Sequence, residues 1–225
     1  MFQKIFGKGS ILNRERRSKL LLTSIVLFYV LPALSEDREI GRVAIILVLY
    51  VALAAAAMEL AETRTKFWVA ILLAVVSMVL LGLSHYLPHP GLELASRSAL
   101  SVFFCFVSAS LFVYLGKAGQ TAQGGIYVSV SLYFLLGMCW FAIYGVLSLL
   151  QPGSFALGGV PLVEPVPWST LLYFSLTTLT TLGYGDIVAV KPAARMFATL
   201  EAAAGVLYVA ITVARLVASR HEAKE

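Results

Sequence analysis

"TTLTTLGYGD", Thr177 to Asp186, decides how this chain is read. Threonines crowd ahead of two glycines that bracket a tyrosine, and long apolar segments lie on either side. Irregular backbone at membrane depth is tolerated only where it is buried in protein or lines water. The stretch therefore needs a setting that gives its backbone polar groups a use.

Composition supplies the first part of that setting. The chain has 225 residues, of which 60% are hydrophobic and 13% charged, and its mean hydropathy is +0.88. A soluble domain carries about a quarter charged residues, so an ordinary globular protein is excluded. The formal net charge of +5 could suit nucleic acid, but the basic residues form no face and sit at segment ends. Membrane orientation accounts for them, and no nucleic-acid partner is expected. Cys105 and Cys139 each fall inside an apolar segment, which suits packing rather than a disulfide framework. His85 and His89 are four apart, but Pro88 and Pro90 break the helix that would align them on a metal. "MFQKIFGKGSILNRERRSK" is basic over too long a span for a cleavable signal peptide. With no nucleophile–base constellation and no phosphate-binding glycine loop, an enzyme is not expected.

Apolar runs cover 20–34, 43–61, 67–87, 94–116, 126–150 and 193–218. A spanning helix needs about 20 such residues, so four runs qualify directly. The first is short and ends near Pro32, and the second carries Glu59; both can span if Lys19, Arg42 and Glu62 reach the interfaces. The expected fold is an all-α membrane protein with six transmembrane helices, with four helices and an interfacial hairpin as the alternative. With the N-terminus inside, Lys4, Lys8, Arg14, Arg16, Arg17, Lys19, Arg64, Lys66, Lys117, Arg215, Arg220 and Lys224 are cytoplasmic. Arg38, Arg42, Arg97, Lys191 and Arg195 are then outside. This asymmetry predicts a multi-pass protein of the cell membrane with both termini cytoplasmic. The division expected is a cytoplasmic segment 1–19, a four-helix membrane domain 20–120, a second membrane domain 125–220 and a tail 221–225.

After the fifth run, "QPGSFALGGVPLVEPVPW" reads as an irregular extracellular segment. "WSTLLYFSLTT" follows, about 11 residues or ~16 Å of helix, which enters a membrane without crossing it. Ser169 or Thr170 is its candidate N-cap. The chain then climbs back through "TLGYGD", making a re-entrant helix and loop between helices five and six. The inward C-terminus of such a helix favours a cation. Gly183 and Gly185 accept backbone angles that L-residues resist, so the carbonyls of Thr181, Leu182, Gly183 and Tyr184 can face one line. The Thr181 hydroxyl adds one more oxygen.

"TTLGYGD" resembles the signature of potassium channels, whose TVGYG-type filters replace an ion's hydration shell with carbonyl oxygens. The resemblance covers about Ile126 to Arg220, from outer helix to inner helix. Leu182 stands where the family has Val or Ile, a mild change because the residue contributes a carbonyl. The resemblance implies a selectivity filter at Thr181, Leu182, Gly183, Tyr184 and Gly185, with K+ held at Thr181 to Tyr184 and no other cofactor. It implies a homotetrameric pore in membrane lipid. Passive potassium-selective conduction is the implied function. Filter support would come from Asp186, Tyr173, Phe174, Thr177 and Thr178. Tyr173 and Phe174 match the family's paired tryptophans; Phe174 has no donor for Asp186, so that brace is expected to be absent or rearranged. Thr177 matches a glutamate of some bacterial relatives. Thr180, Val206 and Val209 would line the cavity under the filter. Gly205 matches a hinge glycine, with close helix packing as the alternative.

Six helices with a terminal pore also resemble voltage-gated channels. Voltage sensing needs several charges moving through the field. "LELASRSALSVFFCFVSASLFVYLGK" has Arg97 and then no basic residue until Lys117, so the four-helix part has sensor-like topology without sensor charges. No cytosolic ligand domain is expected within this chain. Glu201, midway along that helix, is an intramembrane acid and so a functional candidate; packing against a polar group such as Thr178 is the alternative. Two rival functions remain: a non-conducting or modulatory channel subunit, and a pore-loop cation transporter. Transporters of that kind carry four loop repeats in one chain, and here there is one.

Overall fold

The computed structural model describes residues 14–34, 39–60, 63–87, 89–117, 123–163 and 166–222. Residues 1–13, the tail 223–225 and Glu62, all part of the sequence reading, lie outside the described residues. The described chain holds α1 (Arg14–Leu34), α2 (Glu39–Glu59), α3 (Arg64–Tyr86), α4 (Pro90–Lys117) and α5 (Gln123–Leu150). After these come β1 (Phe155–Leu157), β2 (Val160–Pro161), α6 (Trp168–Leu179), β3 (Ile187–Ala189) and α7 (Pro192–Glu222).

Among the described residues, four helices are long and apolar enough to cross a membrane. They cover Arg64–Tyr86, Pro90–Gly116, Gly125–Leu150 and Pro192–Arg215. The sequence reading expected six. In α1 the first turn is charged through Arg14, Glu15, Arg16 and Arg17, and the apolar part of α2 found among the described residues is Ile46–Glu59.

The chain divides into two compact units. The first contains residues 1–79 and 105–135. Its core is apolar, large on α1 and small on α2: Leu21, Ile25 and Phe28 of α1 are buried, as are Ala52, Leu53, Ala55, Ala56 and Ala57 of α2. Small residues let helix backbones approach closely in a membrane. Arg17 is buried, and its Nη1 donates to the Met58 carbonyl at 3.2 Å. A cation suits that place, because the C-terminal carbonyls of α2 carry partial negative charge. Lys19 pairs with Glu15 at 2.7 Å, and the hydrogen bond its ammonium donates to that carboxylate raises the Lys19 pKa above its ordinary value. Tyr29 donates to the Phe134 carbonyl at 3.0 Å, tying α1 to α5 within this unit.

The second unit contains residues 80–104 and 136–225. Here the expected irregular loop after α5 is partly a sheet. β1 pairs antiparallel with β2 and with β3, in the order β2-β1-β3. Phe155 sits opposite Ala189, and Leu157 faces Val160 on one side and Ile187 on the other. The two-residue turn Gly158–Gly159 has φ of 57° and 85°. Positive φ at both centres is what a tight hairpin turn requires, and glycine supplies it. Two cysteines were read as buried packing groups; Cys139 is buried, but Cys105 is exposed because it falls on the outward side of α4.

Candidate functional site

α6 begins at Trp168 behind Pro167, and no side chain caps it. Ser169 and Thr170, the expected caps, lie inside the first turn. Proline, with φ fixed near the helical value, leads the chain into the helix instead. The helix has 12 residues, about 18 Å at 1.5 Å per residue.

Its other end closes on the quoted stretch. Thr181 N–H donates to Thr178 O at 2.9 Å, and Leu182 N–H to Thr177 O at 2.8 Å. Gly183 N–H also reaches Thr177 O, at 3.1 Å. With Thr180 as C-cap, this is a Schellman closure, in which the residue after the cap is left-handed and is ordinarily glycine. Here that residue is Thr181, at φ 58°. A β-branched residue in this region is an outlier that costs of order 1–3 kcal/mol, and such strain gathers at functional sites.

Positive φ then recurs at every second residue: Thr181 at 58°, Gly183 at 50° and Gly185 at 79°. Alternating hand along a backbone turns successive N–H groups to one side, which leaves the carbonyls to the other. The N–H side is spoken for by Thr177 and Thr178. Among the described hydrogen bonds, none ends on the carbonyl oxygen of Thr181, Leu182, Gly183 or Tyr184. The segment from Thr181 to Asp186 is exposed on the single chain, with Leu182 55% and Tyr184 69% accessible.

The far end of the segment is pinned by the sheet. Gly158 N–H donates to Asp186 O at 2.8 Å, and Val190 N–H to Ser154 O at 2.8 Å. The Asp186 carboxylate accepts from Ile187 N–H at 3.0 Å, and the Tyr173 phenol lies near enough to interact with the same carboxylate. Sequence reasoning gave the brace position to Phe174 and expected it to be lost or rearranged. The α6 side chain that interacts with Asp186 is Tyr173, one residue earlier, and Phe174 is core. Its ring meets Tyr144 at 5.2 Å and Phe155 at 5.3 Å between centroids, and Tyr144 meets Phe155 at 5.5 Å. Edge-to-face aromatic clusters of this kind are rigid packing units.

Thr177 acts through its carbonyl; its hydroxyl bonds back to Phe174 O at 3.0 Å within α6. Thr178 likewise contributes its carbonyl. Thr180 is exposed, with its hydroxyl on Leu176 O at 2.7 Å. Val206 and Val209 are exposed on α7. Gly205 is buried, and a Cβ there would overlap the carbonyl oxygen of Leu179, the last residue of α6.

Glu201 is wholly buried. Tyr144 of α5 donates to its Oε2 at 2.5 Å, and Ser175 Oγ of α6 lies 2.5 Å from its Oε1. Ser175 Oγ also lies 2.8 Å from the Gly137 carbonyl of α5. The polar α6 group at Glu201 is thus Ser175, where the sequence reading had named Thr178. Nothing in the sequence spacing marks Tyr144 or Ser175. The partners of Arg97 went unread in the same way: its guanidinium reaches Glu93 at 2.5 Å, Gly145 O at 3.2 Å and Ser148 Oγ at 3.3 Å.

Comparison with known proteins bears on the same region. Residues 128–219 match the model of a family described as "Ion channel", and this stretch runs from α5 through the sheet, α6 and the glycine segment to α7. The chain is 31% identical over 137 residues to the "Voltage-gated potassium channel Kch" of Escherichia coli (strain K12). That similarity covers 60% of this chain but 28% of the relative, so the chain corresponds to little more than a quarter of that protein. No solved structure matches the chain. Residues 128–219 are thus similar to a family of ion channels, and the relative matched is by its name a potassium channel.

Proposed function

We propose that the chain is a subunit of a homotetrameric, potassium-selective channel that conducts passively. One observation carries the reading: four consecutive carbonyls, Thr181 to Tyr184, accept no described hydrogen bond, on an exposed segment whose φ is positive at alternate residues. Backbone oxygens left without partners at membrane depth need an occupant, and a dehydrated K+ held at Thr181, Leu182, Gly183 and Tyr184 supplies one. One chain offers one such edge, so a ring needs copies of the chain around an axis. The exposed Thr180, Val206 and Val209 then line the cavity below. In this reading α1 and α2 join the four qualifying helices as spans, α6 is re-entrant, and both ends of the chain are cytoplasmic in the cell membrane. Residues 20–120 form a sensor-like domain. The relative's name includes voltage gating, but Arg97 here is tied to Glu93, Gly145 and Ser148, so voltage gating is not part of the proposal.

Purified protein in liposomes tests this. Barium-blockable K+ flux without coupled transport, with Na+ excluded, is the expected result. Equal passage of Na+ would overturn the carbonyl account, and silence of the pure protein would point to the modulatory-subunit alternative.

A further inference from the structure

Three oxygen–oxygen contacts meet around Glu201: Tyr144 to Oε2 at 2.5 Å, Ser175 Oγ to Oε1 at 2.5 Å, and Ser175 Oγ to Gly137 O at 2.8 Å. Each needs one hydrogen between its oxygens. The Gly137 carbonyl can only accept, so the hydrogen there must be the Ser175 hydroxyl's, and a hydroxyl has just one. The contact between Ser175 and Oε1 is then left without a hydrogen unless Glu201 brings it.

An ionised carboxylate accepts short bonds well, but here it satisfies only two of the three contacts. Ser175 would turn its hydrogen to Oε1, and its lone pairs would face the Gly137 oxygen at 2.8 Å. Among the described residues no cation pairs with Glu201. From α5 the titratable neighbour is Tyr144, α6 presents Ser175, and β1 contributes Phe155 behind the tyrosine. The ion pairs described, Lys19–Glu15 and Arg97–Glu93, do not include Glu201. A buried carboxylate without a cation is strongly disfavoured.

We infer that Glu201 holds a proton and acts as a positioning residue: its O–H donates to Ser175, which donates to Gly137, so that α7 and α5 together hold the pore helix α6. Tyr144 completes the chain by donating to the other carboxyl oxygen. The relay bears on the glycine segment because Ser175 stands two residues before Thr177, whose carbonyl receives Leu182 and Gly183. Loss of the proton reverses the Ser175 hydroxyl, releases Gly137 and frees α6 from α5. The effect on conduction rests on the function proposed above; the protonation itself does not.

Two readouts separate these. Infrared difference spectra of the detergent-solubilised protein, wild type against Glu201→Gln, should show at neutral pH a protonated-carboxyl band that shifts in D2O and disappears at alkaline pH. A carboxylate band in its place overturns the inference. In liposomes, K+ flux through wild type should fall roughly five- to tenfold as that band is lost, the size expected for one hydrogen bond. Glu201→Gln keeps a donor for Ser175 and an acceptor for Tyr144, so it should conduct with a flat pH profile. Ser175→Ala should show at neutral pH the flux that wild type shows at alkaline pH. If Glu201→Gln does not fold, the wild-type band and Ser175→Ala decide. A protonated band with a flux that ignores pH in both wild type and Ser175→Ala overturns the positioning role. A protonated band with no flux at any pH sinks the channel reading and leaves the proton assignment standing. Selective flux with a carboxylate band does the reverse.

Discussion

Gly205 meets Leu179 at the point where α7 crosses the end of α6, so closely that a methyl group on Gly205 would overlap the Leu179 carbonyl oxygen. The glycine therefore has a packing reason whatever its flexibility contributes. That carbonyl is backbone and cannot swing aside, and relief would have to come from shifting α6 against α7.

Gly205→Ala should accordingly destabilise the folded protein by about 1–3 kcal/mol, the usual range for overpacking, and abolish flux. Thermal unfolding in detergent checks this. An alanine variant of wild-type stability with altered gating would assign the glycine to bending alone.

At Gly183 the cause is different. A Cβ would meet nothing within 4 Å, but φ is +50°, and an L-residue in that region costs about 1–2 kcal/mol. Gly183→Ala should leave the fold intact and let the segment relax, weakening discrimination of K+ over Na+ in flux assays. Full discrimination in the variant would contradict the carbonyl-ring reading.

Thr181 offers the opposite experiment. Glycine is the ordinary residue at its left-handed position, so Thr181→Gly should raise stability by roughly 1 kcal/mol. It also removes the hydroxyl. Higher melting temperature together with impaired K+ selectivity is the expected pair of results; a loss of stability would show that the strain is not at this residue.

Arg97→Gln removes a charge held between Glu93, Gly145 and Ser148. Leaving such partners unpaired costs about 1–3 kcal/mol, so the variant should unfold earlier. Its conductance–voltage relation should match wild type, and a shallower relation would make Arg97 a gating charge.

The long elements were legible because burial in lipid writes itself into composition. The runs 67–87, 94–116, 126–150 and 193–218 became α3, α4, α5 and α7, and "WSTLLYFSLTT" became α6. The backbone chemistry of the glycine segment was legible too, since only glycine takes positive φ cheaply. Glu201 stood out by charge alone, but Tyr144 and Ser175 did not, because hydropathy along a run says nothing of how each helix is rotated against its neighbours. That Phe174 has no donor for Asp186 was legible, but which neighbour would face the carboxylate was not: α6 turns Tyr173 toward it and Phe174 to the core. The small sheet had a signal, two adjacent glycines between short apolar runs, which reads as a hairpin turn. It was obscured by the prolines that surround it.

The turn at Gly158–Gly159 gives the molecule a handle. Its amide grips the backbone at Asp186, while Leu157, Val160 and Val163 beside it stand open to the surroundings. Whatever tugs on that small hairpin, whether a bound molecule, an inserted residue or a tethered label, pulls on the glycine segment from outside the segment itself. That loop is thus a lever, and its length is a dial on the geometry of residues 181–186.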